Sequence, residues 1–151
     1  MLTVYDGGTA VKTVPILATG REGSWWETPA GLYRIQGKEK SHYSGFAGVY
    51  MPWSLPFQGN FFIHGWPYYP DGTPVDSKYS GGCIRLSTED AQAVYDLVRV
   101  GTPVLVFKEG YESDAVRYGV KRPELSAREY LVADLRSNFV FFEQGAKDVV
   151  P

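Results

Sequence analysis

The sequence predicts a mostly β fold, a curved sheet or sandwich-like core with one main helix. Three observations carry this. The apolar runs are short and bounded by glycine, proline or aspartate, the punctuation of strands and turns. Only one stretch has strong helical periodicity. Residues 66–82 form a long loop with Pro67, Pro70, Pro74 and three glycines, and long structureless loops in compact domains are usually functional.

In chain order, "LTVY" (2–5) leads into Asp6-Gly7-Gly8, a hairpin turn in which glycine accepts positive φ. "AVKTVPILA" (10–18) reads as the return strand, with Pro15 marking an edge or bulge. "GLYRIQG" (31–37) alternates apolar and polar residues, whereas "KEKSHYSG" (38–45) reads as loop. "FAGVYM" (46–51), closed by Pro52, and "NFFIHG" (60–65) read as buried strands.

The helix is predicted over 87–101. Ser87 or Thr88 caps it, Glu89 and Asp90 favour its N-terminal dipole, and Gly101 stops it. Ala91, Val94, Tyr95 and Val98 form its apolar stripe. "TPVLVF" (102–107) then reads as a buried strand. Residues 109–129 read as a linker with a short helix near 113–118, and 130–151 as a hairpin turning at Arg136-Ser137-Asn138.

Composition narrows the function. The 44% hydrophobic and 21% charged residues of this 151-residue chain suit a folded domain. A net charge of -2, without a basic stretch, argues against a nucleic-acid partner. No apolar run approaches the roughly 18 residues of a membrane span. Met1 runs directly into strand and turn, without a secretory leader. The chain therefore reads as cytoplasmic, or as a mature or excised piece. Two histidines and one cysteine are too few and too scattered for a metal site, and no cofactor is expected.

That cysteine, Cys83, sits in "YSGGCIRLS" behind Gly81 and Gly82 and ahead of Arg85. Glycines let successive amides point into one concavity, a nest that stabilises a thiolate and then an oxyanion. The thiol needs a base. His64, leaving an apolar strand into Gly65, suits that role; His42, in a polar segment, reads as a solvated loop residue. The competing structural reading is a small buried thiol beside a core histidine.

His64, then fifteen residues, then Ser80-Gly81-Gly82-Cys83-Ile84-Arg85 resembles the signature of the L,D-transpeptidase (YkuD-like) catalytic domain. "ATGREGSWWETPAGLYRI" (18–35) is similar to the family's upstream segment, and "MPWS" with "FFIHGW" to the strand pair that delivers the histidine. The resemblance spans about residues 2–108, hence a catalytic domain over 1–108. It departs at Gly81, where many members carry a second histidine; a rate or contact contribution from that imidazole is then in doubt.

The resemblance implies a peptidoglycan enzyme with stem peptides as partners, carbapenem-type β-lactams as inhibitors, and a place in the extracytoplasmic cell envelope. Cys83 would be the nucleophile, held as thiolate by the base His64, and the Gly65 carbonyl would orient the imidazole. The amides of Gly81, Gly82 and Cys83 would receive the oxyanion. Ser80, Tyr79, Trp66 and Arg85 would meet substrate, Arg85 either through a carboxylate or by anchoring the loop on backbone carbonyls. Trp53, Trp66, Tyr68, Tyr69 and Tyr79 suit either a cleft wall or a small β core. Water in place of an acceptor amine would make the enzyme a carboxypeptidase; a non-catalytic peptidoglycan-binding module is the remaining alternative. A papain-like protease would place the cysteine before the histidine.

The tail, "SAREYLVADLRSNFVFFEQGAKDVVP" (126–151), is similar to the opening hairpin of serine D-alanyl-D-alanine carboxypeptidases. It is either the start of a second domain or a terminal hairpin.

Overall fold

The computed structural model describes residues 1–107 and the backbone of strands 130–134 and 139–144. The chain divides into two compact units, Met1–Glu109 and Gly110–Pro151. The first is mostly β with one helix, the predicted class. It contains strands β1 (Leu2–Asp6), β2 (Thr9–Val14), β3 (Gly31–Arg34), β4 (Glu39–Ser44), β5 (Val49–Gln58), β6 (Phe61–His64) and β7 (Ile84–Arg85). Helix α1 (Thr88–Leu97) and β8 (Pro103–Val106) follow. The second unit carries β9 (Tyr130–Asp134) and β10 (Phe139–Gln144), an antiparallel pair. The expected turn at 136–138, the short helix at 113–118 and the linker lie outside the described residues. So does most of the segment that resembles the carboxypeptidase opening.

β1 and β2 form the predicted hairpin, with Gly7 and Gly8 at φ 54° and 81° in its turn. β2 stops at Val14, short of the predicted strand to residue 18. Beyond Pro15 the chain leaves that hairpin and pairs instead with β7, where Leu17 N–H donates to the Arg85 carbonyl and Arg85 N–H to that of Ala18. β3 and β8 pair antiparallel. β8 is half-exposed, not the buried strand expected, because only alternate side chains face inward.

The main sheet has the order β4-β5-β6-β7; β6 and β7 are parallel, the other pairs antiparallel. Two expectations fail here. Residues 39–44 are a strand, β4, and β5 runs through both Pro52 and Pro56. Proline lacks an N–H but keeps its carbonyl, and both carbonyls are used, Pro52 O accepting from Gly65 N–H and Pro56 O from Gln36 N–H; the ladder is irregular beside each proline, at Trp53 and between Pro56 and Gln58. Trp53, at φ 54°, kinks β5 between them. Regular alternation would put residues 49, 51, 55 and 57 on one face. Instead Val49 and Met51 pack with Phe62 in one cluster, and Leu55 and Phe57 join the main core.

The main core also holds Val14, Ile35, Ile63, Ile84 and Leu86, closed by Ala91, Val94 and Val98 of the helix stripe. The Ser87 side chain caps the helix on Asp90 N–H as expected. The helix ends at Leu97, and Gly101, at φ 90°, lies in the turn beyond it. Lys38 Nζ donates to the carbonyls of Tyr95 and Val98 at 2.6 and 2.7 Å, satisfying acceptors that the last helical turn leaves open.

Candidate active site

The site is built on the parallel pair β6 and β7, in which Ile63 faces Ile84 and His64 faces Arg85. Side chains alternate along a strand. Ile63 and Ile84 therefore enter the core, and Phe62, His64, Cys83 and Arg85 share the opposite side. The packing agrees: Cys83 contacts the Phe62–Met51–Val49 cluster, and the Ile pair lies in the other one. A histidine at the end of β6, a thiol directly before β7 and a guanidinium on β7 thus share one face.

His64 is 1% exposed. Its Nδ1 lies 2.6 Å from the Gly65 carbonyl. A carbonyl only accepts, so Nδ1 carries the proton and Nε2 keeps the lone pair a base needs. Gly65 is confined: a Cβ there would meet Pro52 Cγ and Thr88 Cα, each at 3.0 Å. Burial lowers the His64 pKa to about 4; the Gly65 bond opposes this, while the charges of Arg85 and His42 add to it. Burial also pushes the Cys83 thiol up, against a backbone hydrogen bond from Phe62 and the Arg85 charge. The resting pair is therefore neutral thiol and neutral imidazole. The preformed thiolate expected from the sequence is not favoured, because desolvation penalises both ions. Sγ makes a long 3.7 Å contact with the Asn60 carbonyl.

Ser80 and the glycines differ from expectation in part. Gly82 N–H donates to Ser80 Oγ at 3.0 Å, and Ser80 Oγ donates to the Cys83 carbonyl. The Gly82 amide is thus already engaged, leaving those of Gly81 and Cys83 as oxyanion candidates. The buried Ser80 hydroxyl is turned into its own loop, not toward a substrate, because it closes two backbone groups there. Gly82 sits at φ 105°, and a Cβ on it would lie 2.0 Å from Phe61 Cε1. A Cβ on Gly81 would meet nothing within 4 Å.

Arg85 is 9% exposed. Nη1 donates to the Ser77 carbonyl, the guanidinium lies 5.5 Å from the Trp66 ring, and Nε is buried without an acceptor among the described residues. Trp66 is held by its Nε1–H to the Val75 carbonyl. Tyr79 is exposed, with Lys78 Nζ over its ring. Of the aromatics that suit either a cleft wall or a small β core, Trp53 packs on Tyr95 of the helix and Tyr68 stacks on Tyr50.

His42 is not a solvated loop residue. It lies on β4, with its ring 4.7 Å from that of Phe62 and Nδ1 2.9 Å from Glu39 Oε2. Sequence reasoning also missed Thr28, whose hydroxyl accepts from Gly20 N–H and donates to the Gly82 carbonyl. It ties the "ETPAG" segment to the cysteine loop; the only signal for it was its place in that segment.

Residues 1–106 match the YkuD family, the L,D-transpeptidase catalytic domain. The chain belongs to this family. Solved structures agree with an L,D-transpeptidase fold. The chain is similar to the L,D-transpeptidase of Stackebrandtia nassauensis at 25% identity and TM-score 0.59, covering 70% of this chain and 49% of that one. It is similar to the L,D-transpeptidase LdtMt1, solved in complex with imipenem, at 22% identity and TM-score 0.57, covering 70% and 53%. A C442S variant of the Enterococcus faecium L,D-transpeptidase matches at 24% identity and TM-score 0.56, covering 70% and 44%. This L,D-transpeptidase domain thus spans about half the length of the solved relatives it matches. A search of curated proteins gave no match.

Proposed function

We propose that the chain is a peptidoglycan L,D-transpeptidase acting in the cell envelope, with Cys83 as nucleophile and His64 as general acid and base. The observation that supports the reading is the parallel pairing of β6, which ends at His64, with β7, which begins directly after Cys83, together with the His64 Nδ1–H fixed on the Gly65 carbonyl. His64 Nε2 takes the thiol proton as Sγ attacks the carbonyl carbon of the amide between a diamino acid L-centre and the terminal D-alanine. Gly81 and Cys83 amides receive the oxyanion, each such donor being worth about 3 kcal/mol. The C–N bond breaks, His64 returns its proton to the leaving D-alanine amine, and a thioester remains on Cys83. The amine of a second stem gives its proton to His64 and attacks the thioester. The C–S bond then breaks, the sulfur regains a proton, and a cross-link is left between the two stems.

A low His64 pKa fits a group that is a free base at neutral pH and an acid only transiently. A carbapenem, whose strained amide carbonyl mimics the scissile one, acylates the same sulfur in this reading; imipenem is the compound bound in LdtMt1. Incubation with a stem tetrapeptide should release D-alanine and give a cross-linked dimer by mass, and imipenem should add one drug mass. Both should be lost in Cys83→Ala and the first in His64→Ala. Turnover by Cys83→Ala equal to wild type would overturn the assignment.

A further inference from the structure

The chain has two histidines, and the reaction above engages only His64. The other, His42, stands on the catalytic face. It pairs with Met51 across β4 and β5, and directly opposite residues of an antiparallel pair share a face. Met51 belongs with Phe62 to the cluster that Cys83 packs against, and the His42 ring lies 4.7 Å from that of Phe62. His42 therefore reaches this cluster from β4, and Cys83 from the β7 end of the same sheet. A charge on His42 is felt at His64.

His42 is prepared as a base in the way His64 is. Its Nδ1 lies 2.9 Å from Glu39 Oε2, and a carboxylate only accepts, so Nδ1 carries the proton and Nε2 keeps its lone pair. A proton taken at Nε2 makes an imidazolium already bonded to a carboxylate, a charge-assisted pair. With its side chain 28% exposed, the ring can hand that proton on to water. The charged or titratable groups near it are Glu39 and Lys40 on β4, His64 on β6, and Cys83 and Arg85 at β7; β5 presents Met51 there. The reaction leaves room for such a base. An alkyl amine of the lysine kind has a pKa of about 10.4, so near pH 7.4 only about one molecule in 1,000 is free base. The acceptor arrives as an ammonium and sheds two protons, one to become a nucleophile and one as the new C–N bond forms. His64 takes the second.

We infer that His42, backed by Glu39, is the base that takes the first proton from the acceptor ammonium, and so favours a second stem over water at the Cys83 thioester. This rests on Cys83 being the nucleophile. The ammonium gives one proton to His42 Nε2, and His42 releases it to water. That release comes first, because a charge on His42 opposes one on His64. The neutral amine then attacks the thioester carbonyl carbon and gives its second proton to His64 Nε2. The C–S bond breaks, and the sulfur regains its proton from His64. Each histidine thus ends neutral, with one proton returned to solvent.

The test uses the full 151-residue chain and a stem tetrapeptide that serves as donor and acceptor. Each thioester ends as a cross-linked dimer or, with water, as the tripeptide acid. Mass spectrometry gives the ratio of the two between about pH 6 and 9, a range that spans histidine and approaches the amine. The two products share one thioester, so any change in acylation cancels from the ratio. In His42→Gln the dimer-to-tripeptide ratio at neutral pH should fall about 100-fold, the lower end of what a positioned base contributes. The loss should shrink as pH rises, because free amine then needs no base; a merely displaced strand would show no such rescue. Glu39→Gln should move the ratio the same way, by less. Thermal unfolding checks both variants; if His42→Gln does not fold, Glu39→Gln, at a half-exposed side chain, decides. A ratio within about twofold of wild type in a folded variant, or a loss undiminished at the highest pH, would overturn the assignment. Wild type that yields tripeptide alone would overturn it too and leave the Cys83 chemistry standing. Neither product from wild type would sink the transpeptidase reading and this base with it.

Discussion

Acid should unfold this protein through one histidine. His64 is buried as a neutral imidazole with its pKa lowered to about 4 from the ordinary 6.5. Between those values the unfolded chain takes up a proton that the native state refuses, so stability rises with pH across the window. The contribution is whole above about 6.5, declines as pH falls, and is gone near 4. At about 1.4 kcal/mol per pH unit the interval amounts to about 3 kcal/mol. That is a large share of the roughly 5–15 kcal/mol that holds a domain of this size. Urea unfolding of wild type and His64→Gln, followed by tryptophan fluorescence at pH 7.5, 6, 5 and 4, measures it. Glutamine keeps an N–H for the Gly65 carbonyl but does not titrate. The difference between the two proteins therefore cancels the carboxylates and His42, which both retain. The advantage of wild type over the variant should shrink by about 3 kcal/mol from pH 7.5 to 4. Curves that stay parallel within about 0.5 kcal/mol would mean that His64 is protonated in place, and the desolvation reasoning would fail.

Four further outcomes are expected. Gly82→Val should slow Cys83 acylation by imipenem at least about 100-fold in a folded protein, because its Cβ meets Phe61 at a positive φ. Gly81→His, with open space around it, should leave both folding and acylation within about threefold of wild type. Alkylation of Cys83 by iodoacetamide should titrate above the ordinary thiol range; a rate already at its plateau at pH 7 would show that a thiolate is held after all. Lys38→Met, which removes the cation from the carbonyls of Tyr95 and Val98, should cost about 1–2 kcal/mol in thermal or urea unfolding; no change would mean that water satisfies those carbonyls equally well.

Local signals decided what was legible in the sequence. Asp6-Gly7-Gly8, the Ser87 cap and the Ala91-Val94-Tyr95-Val98 stripe each act within a few residues, and each element formed where its signal lay. The spacing of His64 and the "SGGCIR" block likewise pointed to a family, because a motif is a local pattern. What failed depended on contacts far along the chain. β4 is polar in sequence and is a strand because β5 supplies its hydrogen-bond partners. β5 crosses two prolines where its ladder is irregular, and their carbonyls serve Gly65 and Gln36.

The site divides in the same way. The sequence by itself singled out Cys83 and His64 as the candidates for the chemistry, and placed glycines before the sulfur. Only the tertiary structure decided their charge states. Burial pushes the His64 pKa down and the Cys83 pKa up, so the expected ion pair is disfavoured, since a low-dielectric surround is a sum over many distant atoms. It also committed the Gly82 amide to Ser80, set His42 against Phe62, and left Arg85 Nε without an acceptor among the described residues. Each of these is a relation between strands that sequence order does not contain.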